Sequence, residues 1–357
     1  MTRKTRAQSA SVTMAMVAAR AGVSAQTVSN ALNAPELLRP ETLERVREAV
    51  AELNYRPHRD ARALRTRSSR LIGLAVRAAD ENGVLDRFLH ALSLAAGESG
   101  YRILLFPASG GDAELAEYEA LLSEHSVDAF ALTHTDRGDP RPRWLLDHGV
   151  PFVSFGRAWG SRLDADWVDV DGADGTAQAV DHLVALGHRR IAFLGWPLGS
   201  AVGDDRRRGW TESMRLHRLP VRDLHAQSVG EVEKGAEAAA RLLDAGATAV
   251  VAVSDTLATG AYLALRDRGL TAGRDVSVVG FDDTPAARVL SPGLTTLQQP
   301  LDRVGEECMR LLLARIKRPE APPEHLLLPP RLVVRGSTAP APPADGPAGS
   351  GGAPSHP

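Results

Sequence analysis

The sequence predicts an all-α N-terminal head followed by an α/β body of two doubly wound parallel-sheet lobes. Three observations lead there. Residues 12–33, VTMAMVAARAGVSAQTVSNALN, read as two short helices joined by a tight turn at Gly22. From Leu71 onward, apolar runs of strand length alternate with amphipathic helical stretches, the pattern of parallel sheets with helices on both faces. Charge divides at the same place: residues 1–70 carry thirteen Lys/Arg against six Asp/Glu, a net of +7, and the remainder carries −9. A basic head on an acidic body is the footprint of a phosphate-binding module attached to a regulatory domain.

The 357 residues suffice for two or three domains, and 43% hydrophobic with 24% charged residues is an ordinary soluble composition. No apolar run approaches the ~18 residues of a membrane span, so no membrane partner is expected. Arg3, Lys4 and Arg6 followed by VTMAMVAA mimic an export signal. That apolar piece is short, lacks leucine and runs directly into the turn, so cleavage after Ala21 would destroy the best motif. A cytoplasmic protein is expected, and the single cysteine, Cys308, fits a reducing compartment. It sits in the apolar pattern of a late helix and reads as a small core residue.

Residues 1–11 read as a disordered basic arm. Helices are predicted over about 14–20, 25–32 and 41–53, the last entered through Pro40 with Glu41 and Glu44 in its first half. Residues 58–66 are expected to form one further short helix after Pro57. Strands are predicted at 71–76, 101–106, 128–133, 152–155, 190–195, 247–253 and 276–281, with helices over 84–98, 173–186, 231–245 and 255–268. Seven strands over this length make two sheets, and ligands of such folds bind beyond the carboxyl ends of strands. Residues 337–357 hold six prolines and four glycines and read as a disordered tail.

The hairpin at 12–33 has the layout of a DNA-reading helix-turn-helix, whose second helix enters the major groove. Thr13 and Ser24 can cap the two helices and leave amide-rich ends that favour phosphate. Ala25 and Gln26 then fall on the first turn of the reading helix, where glutamine can bind adenine and alanine can pack on a thymine methyl. Thr27, Ser29 and Asn30 are short polar groups suited to phosphates or base edges.

The continuation resembles the LacI/GalR family of repressors. The matching runs are Val12-Thr13, Val17-Ala18, Ala21-Gly22-Val23-Ser24, Thr27-Val28-Ser29, Leu53-Asn54-Tyr55-Arg56-Pro57, Ala61-Arg62-Ala63-Leu64 and Ile72-Gly73. In the body they are Gly187-His188-Arg189-Arg190-Ile191, Arg206-x-x-Gly209-Trp210, Ser254-Asp255, Val278 to Asp283 and Pro292 to Thr296. The resemblance implies a helix-turn-helix domain over 12–57, a hinge helix and linker over 58–70, and a periplasmic-binding-protein-like body over 71–336. Lobe 1 would take about 71–157 and 298–325, and lobe 2 about 158–297 and 326–336. It also implies a homodimer on a near-palindromic double-stranded operator. Asn54, Tyr55, His58 and Ala61 would join the DNA contacts, with Leu64 as a minor-groove wedge that kinks the duplex. Met16, Asn30, His58 and Asp60 depart from the residues usual at their positions, which leaves the operator sequence open.

The resemblance further implies a small-molecule effector between the lobes, a sugar or alternatively a purine or nucleoside. Sugar hydroxyls are bound by carboxylate, guanidinium and amide groups and an aromatic face. Arg206 and Asp282 match family ligand positions. Asp255 reads either as a helix cap or as an effector contact, and Ser254 stands where an asparagine is common. Trp159, Trp167 and Trp196 fall in predicted connections, with Trp196 the candidate platform. Val84 and Leu85 stand where aromatics are common, and Arg77, Thr133, His134 and Arg157 lie at strand ends. Two other classes fit the sequence less well. An enzyme is disfavoured because no G-x-G-x-x-G follows a strand, no phosphate-binding G-x-x-x-x-G-K-[ST] loop is present and the eleven histidines show no metal-ligand spacing, so no cofactor is expected. An exported solute-binding protein would fit the body alone, not the head.

Overall fold

The computed structural model describes residues 12–55, 68–77, 83–160 and 164–342. The chain divides into two compact units, Met1–Ser69 and Arg70–Pro357.

In the first unit, α1 (Met14–Ala21) and α2 (Ala25–Asn33) are separated by Gly22 at φ 63. That left-handed conformation suits glycine and lets its amide close the end of α1 on Ala18 and Ala19. A third helix, α3 (Pro40–Glu52), starts on its proline as predicted. Val17, Ala18, Ala21, Val28, Val46, Ala49 and Tyr55 bury together as a small core. The predicted helix at 58–66, with His58, Ala61 and Leu64, lies outside the described residues.

Among its described residues, the second unit contains two six-stranded sheets. The first lies in the order β11-β5-β4-β3-β1-β2, with β1 at Leu71–Val76, β2 at Arg102–Pro107, β3 at Ala129–Leu132, β4 at Phe152–Phe155, β5 at Trp167–Val170 and β11 at His325–Leu328. Every pairing in it is parallel, for example Leu71 with Arg102 and Leu326 with Val168. The second runs β12-β10-β9-β8-β6-β7, with β6 at Ile191–Gly195, β7 at His225–Gln227, β8 at Ala249–Ala252, β9 at Ser277–Phe281, β10 at Thr295–Gln298 and β12 at Arg331–Val333. Only β12 is antiparallel, an edge strand added by the last crossing. Helices cover both sheets: α4 (Val84–Glu98), α5 (Gly111–Ser123), α6 (Pro140–Asp147) and α12 (Leu301–Lys317) on lobe 1, and α7 (Gly172–Ala185), α8 (Ala201–Leu216), α9 (Val232–Asp244), α10 (Asp255–Arg266) and α11 (Pro285–Val289) on lobe 2. Cys308 is fully buried in the lobe 1 core, where burial pushes its thiol well up.

The seven predicted strands are present, and five shorter ones join them: β5, β7, β10, β11 and β12. These carry Asp, His, Thr or Arg inside three- or four-residue runs, so no apolar run announces them. Two boundaries shift as a result. Because β5 belongs to the first sheet, the chain first crosses to lobe 2 after residue 170, not after 157. Because β11 pairs with β5, the last crossing falls between 328 and 331. Residues 337–342 also belong to the body. Ser337 is fully buried, its hydroxyl donating to Val278 O at 2.6 Å, and Ala341 N donates to Leu186 O at 2.8 Å. No helix among the described residues is long and apolar enough to cross a membrane.

Candidate functional site

The head presents its polar groups through short-range bonds. Thr13 Oγ1 accepts from Met16 N at 3.4 Å, and Ser24 Oγ accepts from Thr27 N at 3.1 Å while meeting the Thr27 hydroxyl at 2.9 Å. Ala25 and Gln26 are exposed at the start of α2. The Gln26 amide donates to Asn30 Oδ1 at 3.0 Å, so the two amides form one outward-facing pair. Asn54 is exposed beyond α3 at φ 48. Ser29, at 8% exposure, and Tyr55, at 6%, are largely buried in the head.

In the body, a cavity of about 350 Å³ lies at the carboxyl ends of the strands of both lobes. Lobe 2 contributes Arg206, Asp282 and Trp196; lobe 1 contributes Val84, Leu85, Thr133, His134 and Arg77. Arg206 sits one turn into α8, whose start is capped by Ser200. Its Nη1 donates to Val253 O at 2.6 Å, its Cζ lies 3.5 Å from the Phe281 ring centroid, and Asp282 Oδ1 is 3.6 Å from Nη1. Trp196 faces it at 5.8 Å. The Arg206 Nε is buried and makes no hydrogen bond among the described residues. Burial pulls this guanidinium below its usual range, and Asp282 opposes that effect. Asp282 Oδ1 accepts from Gln299 Nε2 at 2.6 Å.

Three expected effector residues lie elsewhere. Ser254 is fully buried and caps α10 by accepting from Leu257 N at 3.3 Å. Asp255, 1% exposed, neither caps α10 nor lines the cavity; its carboxylate turns towards Thr284 and Thr296. Arg157 does not line the cavity because its guanidinium is already bound. Nε donates to Asp169 at 2.7 Å, Nη2 to Asp205 on α8 at 2.8 Å, and the group rests over Trp159 at 4.3 Å. Asp169 does line the cavity, and burial raises its carboxyl against the pull of Arg157. Trp167 starts β5, not a connection, and stacks on His325 at 4.7 Å.

Residues not expected include Thr135, Asp136, Phe155, Asp169, Ser200, Ala201, Val202 and Gln299. The rule that ligands bind past strand carboxyl ends would have found Thr135, Asp136 and Phe155. Nothing local marks Gln299, which lies on a crossing between lobes. Asp136 also bridges the lobes, its Oδ1 accepting from Ala201 N at 3.1 Å, and Arg137 reaches Asp204 at 3.4 Å. Arg141, buried with Glu114 and Asp139, donates to Thr133 O at 2.9 Å and so braces the strand end that enters the cavity.

A capped helical hairpin with a polar outer edge, carried with a two-lobed α/β body that encloses a charged and aromatic cavity, defines a ligand-binding body joined to a DNA-reading head. Comparison with known proteins gives the same class. Residues 13–58 match the model described as bacterial regulatory proteins, lacI family, and residues 180–338 match the periplasmic binding protein-like domain. The chain is 34% identical over 337 residues to the HTH-type transcriptional regulator CelR of Thermobifida fusca, covering 91% of this chain and 98% of that protein. It is similar to the lac repressor dimer bound to operator and the anti-inducer ONPF (TM-score 0.83, 29% identity, 92% and 100% covered). It is also similar to a CelR–cellobiose complex (TM-score 0.70, 31% identity, 91% and 99% covered). The chain therefore belongs to the LacI family of bacterial transcriptional regulators, which are DNA-binding proteins and not enzymes.

Proposed function

We propose that this chain is a homodimeric, cytoplasmic repressor whose grip on a near-palindromic operator is set by a neutral sugar in the interlobe cavity. The observation that carries the effector class is the pairing of Arg206 and Asp282 opposite Trp196. A guanidinium with a free Nε–H and a carboxylate acceptor suit a pair of hydroxyls, and an indole face suits the C–H side of a sugar ring. Asp136 and Asp169 from lobe 1 and Asp282 from lobe 2 line the cavity and disfavour an anionic ligand. In the head, Ala25, Gln26 and Asn30 address base edges while Thr13, Ser24, Thr27 and Asn54 favour phosphates. His58, Ala61 and Leu64 complete the grip in the minor groove. An effector that fits one lobe arrangement better shifts the population of operator-competent dimers, and only that difference in affinity drives the response.

The test is a thermal-shift screen of neutral sugars, sugar phosphates and nucleobases. A neutral sugar at a hundred times its Kd raises stability by about 2.7 kcal/mol. Stabilisation by sugar phosphates or nucleobases alone would overturn the sugar reading. With the identified sugar, Asp282→Ala keeps operator binding in a gel shift and loses the response; a normal response removes Asp282 from the site.

A further inference from the structure

The Ser254–Asp255 pair divides its work: Ser254 caps α10, and Asp255 reaches sideways to the segment that carries Asp282. Asp255 Oδ2 accepts from Thr284 N at 2.7 Å and from the Thr284 hydroxyl at 3.0 Å, and Oδ1 accepts from the Thr296 hydroxyl at 2.5 Å. Thr296 Oγ1 in turn accepts from Asp283 N at 3.4 Å. One carboxylate thus holds the amides of residues 283 and 284, one directly and one through a hydroxyl.

Those amides belong to an unusual turn. Asp282 has φ 116 and Asp283 φ 50, both in the region that favours glycine. Each such residue is strained and persists only where its surroundings over-determine it. Gly280, just before the turn, leaves the space that Asp255 fills, since a Cβ there would stand 2.3 Å from Asp255 Oδ1. The arrangement carries its own penalty. Asp255 is 1% exposed, its hydrogen-bond partners are neutral hydroxyls and an amide, and burial pushes its carboxyl up to about 6. A buried carboxylate without a paired cation destabilises a fold, and local rules are broken in this way mainly at functional sites.

We propose that Asp255 is the positioning residue for Asp282: it locks the 282–284 turn so that the Asp282 carboxylate faces the cavity beside Arg206 and Gln299. The inference rests on the reading of that cavity as the effector site. Asp255 touches no effector and acts through the turn alone.

Asp255→Ala, Asp255→Asn and Thr296→Val are made in the full-length chain, and each effector-free crystal structure is determined. In Asp255→Ala the turn relaxes, φ of residue 282 leaves the positive region and the Asp282–Gln299 bond opens; Asp255→Asn and Thr296→Val move it less. Cellobiose, a neutral disaccharide, is then titrated calorimetrically at pH 7.5. Its affinity falls about tenfold in Asp255→Asn and at least thirtyfold in Asp255→Ala, while the melting temperature of Asp255→Asn stays at or above that of the parent. An unmoved turn in Asp255→Ala overturns the proposal; should that variant not fold, an unmoved turn in both Asp255→Asn and Thr296→Val does so. A lower melting temperature with turn and affinity unchanged makes Asp255 merely structural and also overturns it. A parent chain that binds no sugar counts against the cavity reading, and the crystallographic arm still decides the role of Asp255.

Discussion

The head and the body place their polar groups by opposite means. In the head, the bonds that shape the reading edge span three or four residues: Ser24 with Thr27, and Gln26 with Asn30. In the body, the bonds that shape the cavity join residues far apart in the chain. Arg206 reaches Val253 across 47 positions, Asp255 reaches Thr296 across 41 and Arg157 reaches Asp205 across 48. The head leaves Ala25 and Gln26 exposed for a partner, whereas the body buries Arg206, Asp255 and Asp282 almost completely. A reading edge built locally tolerates change residue by residue, and a cavity built by long-range pairing depends on the whole lobe being correct.

Substitutions can break or sharpen that contrast. The largest effect is expected between the two regions: Leu64→Ala removes the proposed wedge and reduces operator affinity to the level of non-specific DNA, a loss of at least about a thousandfold. A gel shift showing unchanged affinity would remove Leu64 from the grip. Next, Gly209→Ala should disable the body. A Cβ at 209 would stand 2.1 Å from Ala173 O, so the α7–α8 contact, already fastened by Thr176 Oγ1 donating to Arg206 O at 2.7 Å, must open. Overpacking of this kind costs about 1–3 kcal/mol or more, read as a lower melting temperature together with a weakened effector response. An unchanged melting temperature would refute the close-packing argument. The smallest effect is expected in the head: Gln26→Ala weakens the cognate operator by about 1–3 kcal/mol and relaxes one base position. A uniform loss across all DNA sequences would make Gln26 a positioning contact instead.

The same contrast explains what was legible in the sequence. The caps Thr13 and Ser24, the turn at Gly22 and the three head helices were readable because each depends on neighbours within one helical turn. The burial of Ser29 and Tyr55 was not legible, because side-chain type says nothing of which side faces the core. In the body, long buried strands such as Leu71–Val76 and Ile191–Gly195 announced themselves as apolar runs, while WVDV at 167–170 hid a strand behind Asp169. Arg206, Asp282, Trp196, Thr133 and Val84 were expected at the cavity and line it; Arg157, Ser254 and Asp255 were expected there and are committed elsewhere.

By itself, the sequence determined the order of elements, the basic head, the two-sheet body and the strand ends from which a ligand site must be built. All of these follow from local propensity and hydrophobic period. Only the tertiary structure decided which charged groups are spent on one another and which face the cavity. Arg157 and Asp205, or Asp255 and Thr296, meet through the packing of separate crossings, and no local pattern encodes a partner some forty residues away. The role of Asp255 is the sharpest instance: in sequence it is the neighbour of a helix cap, and in space it is the support beneath Asp282.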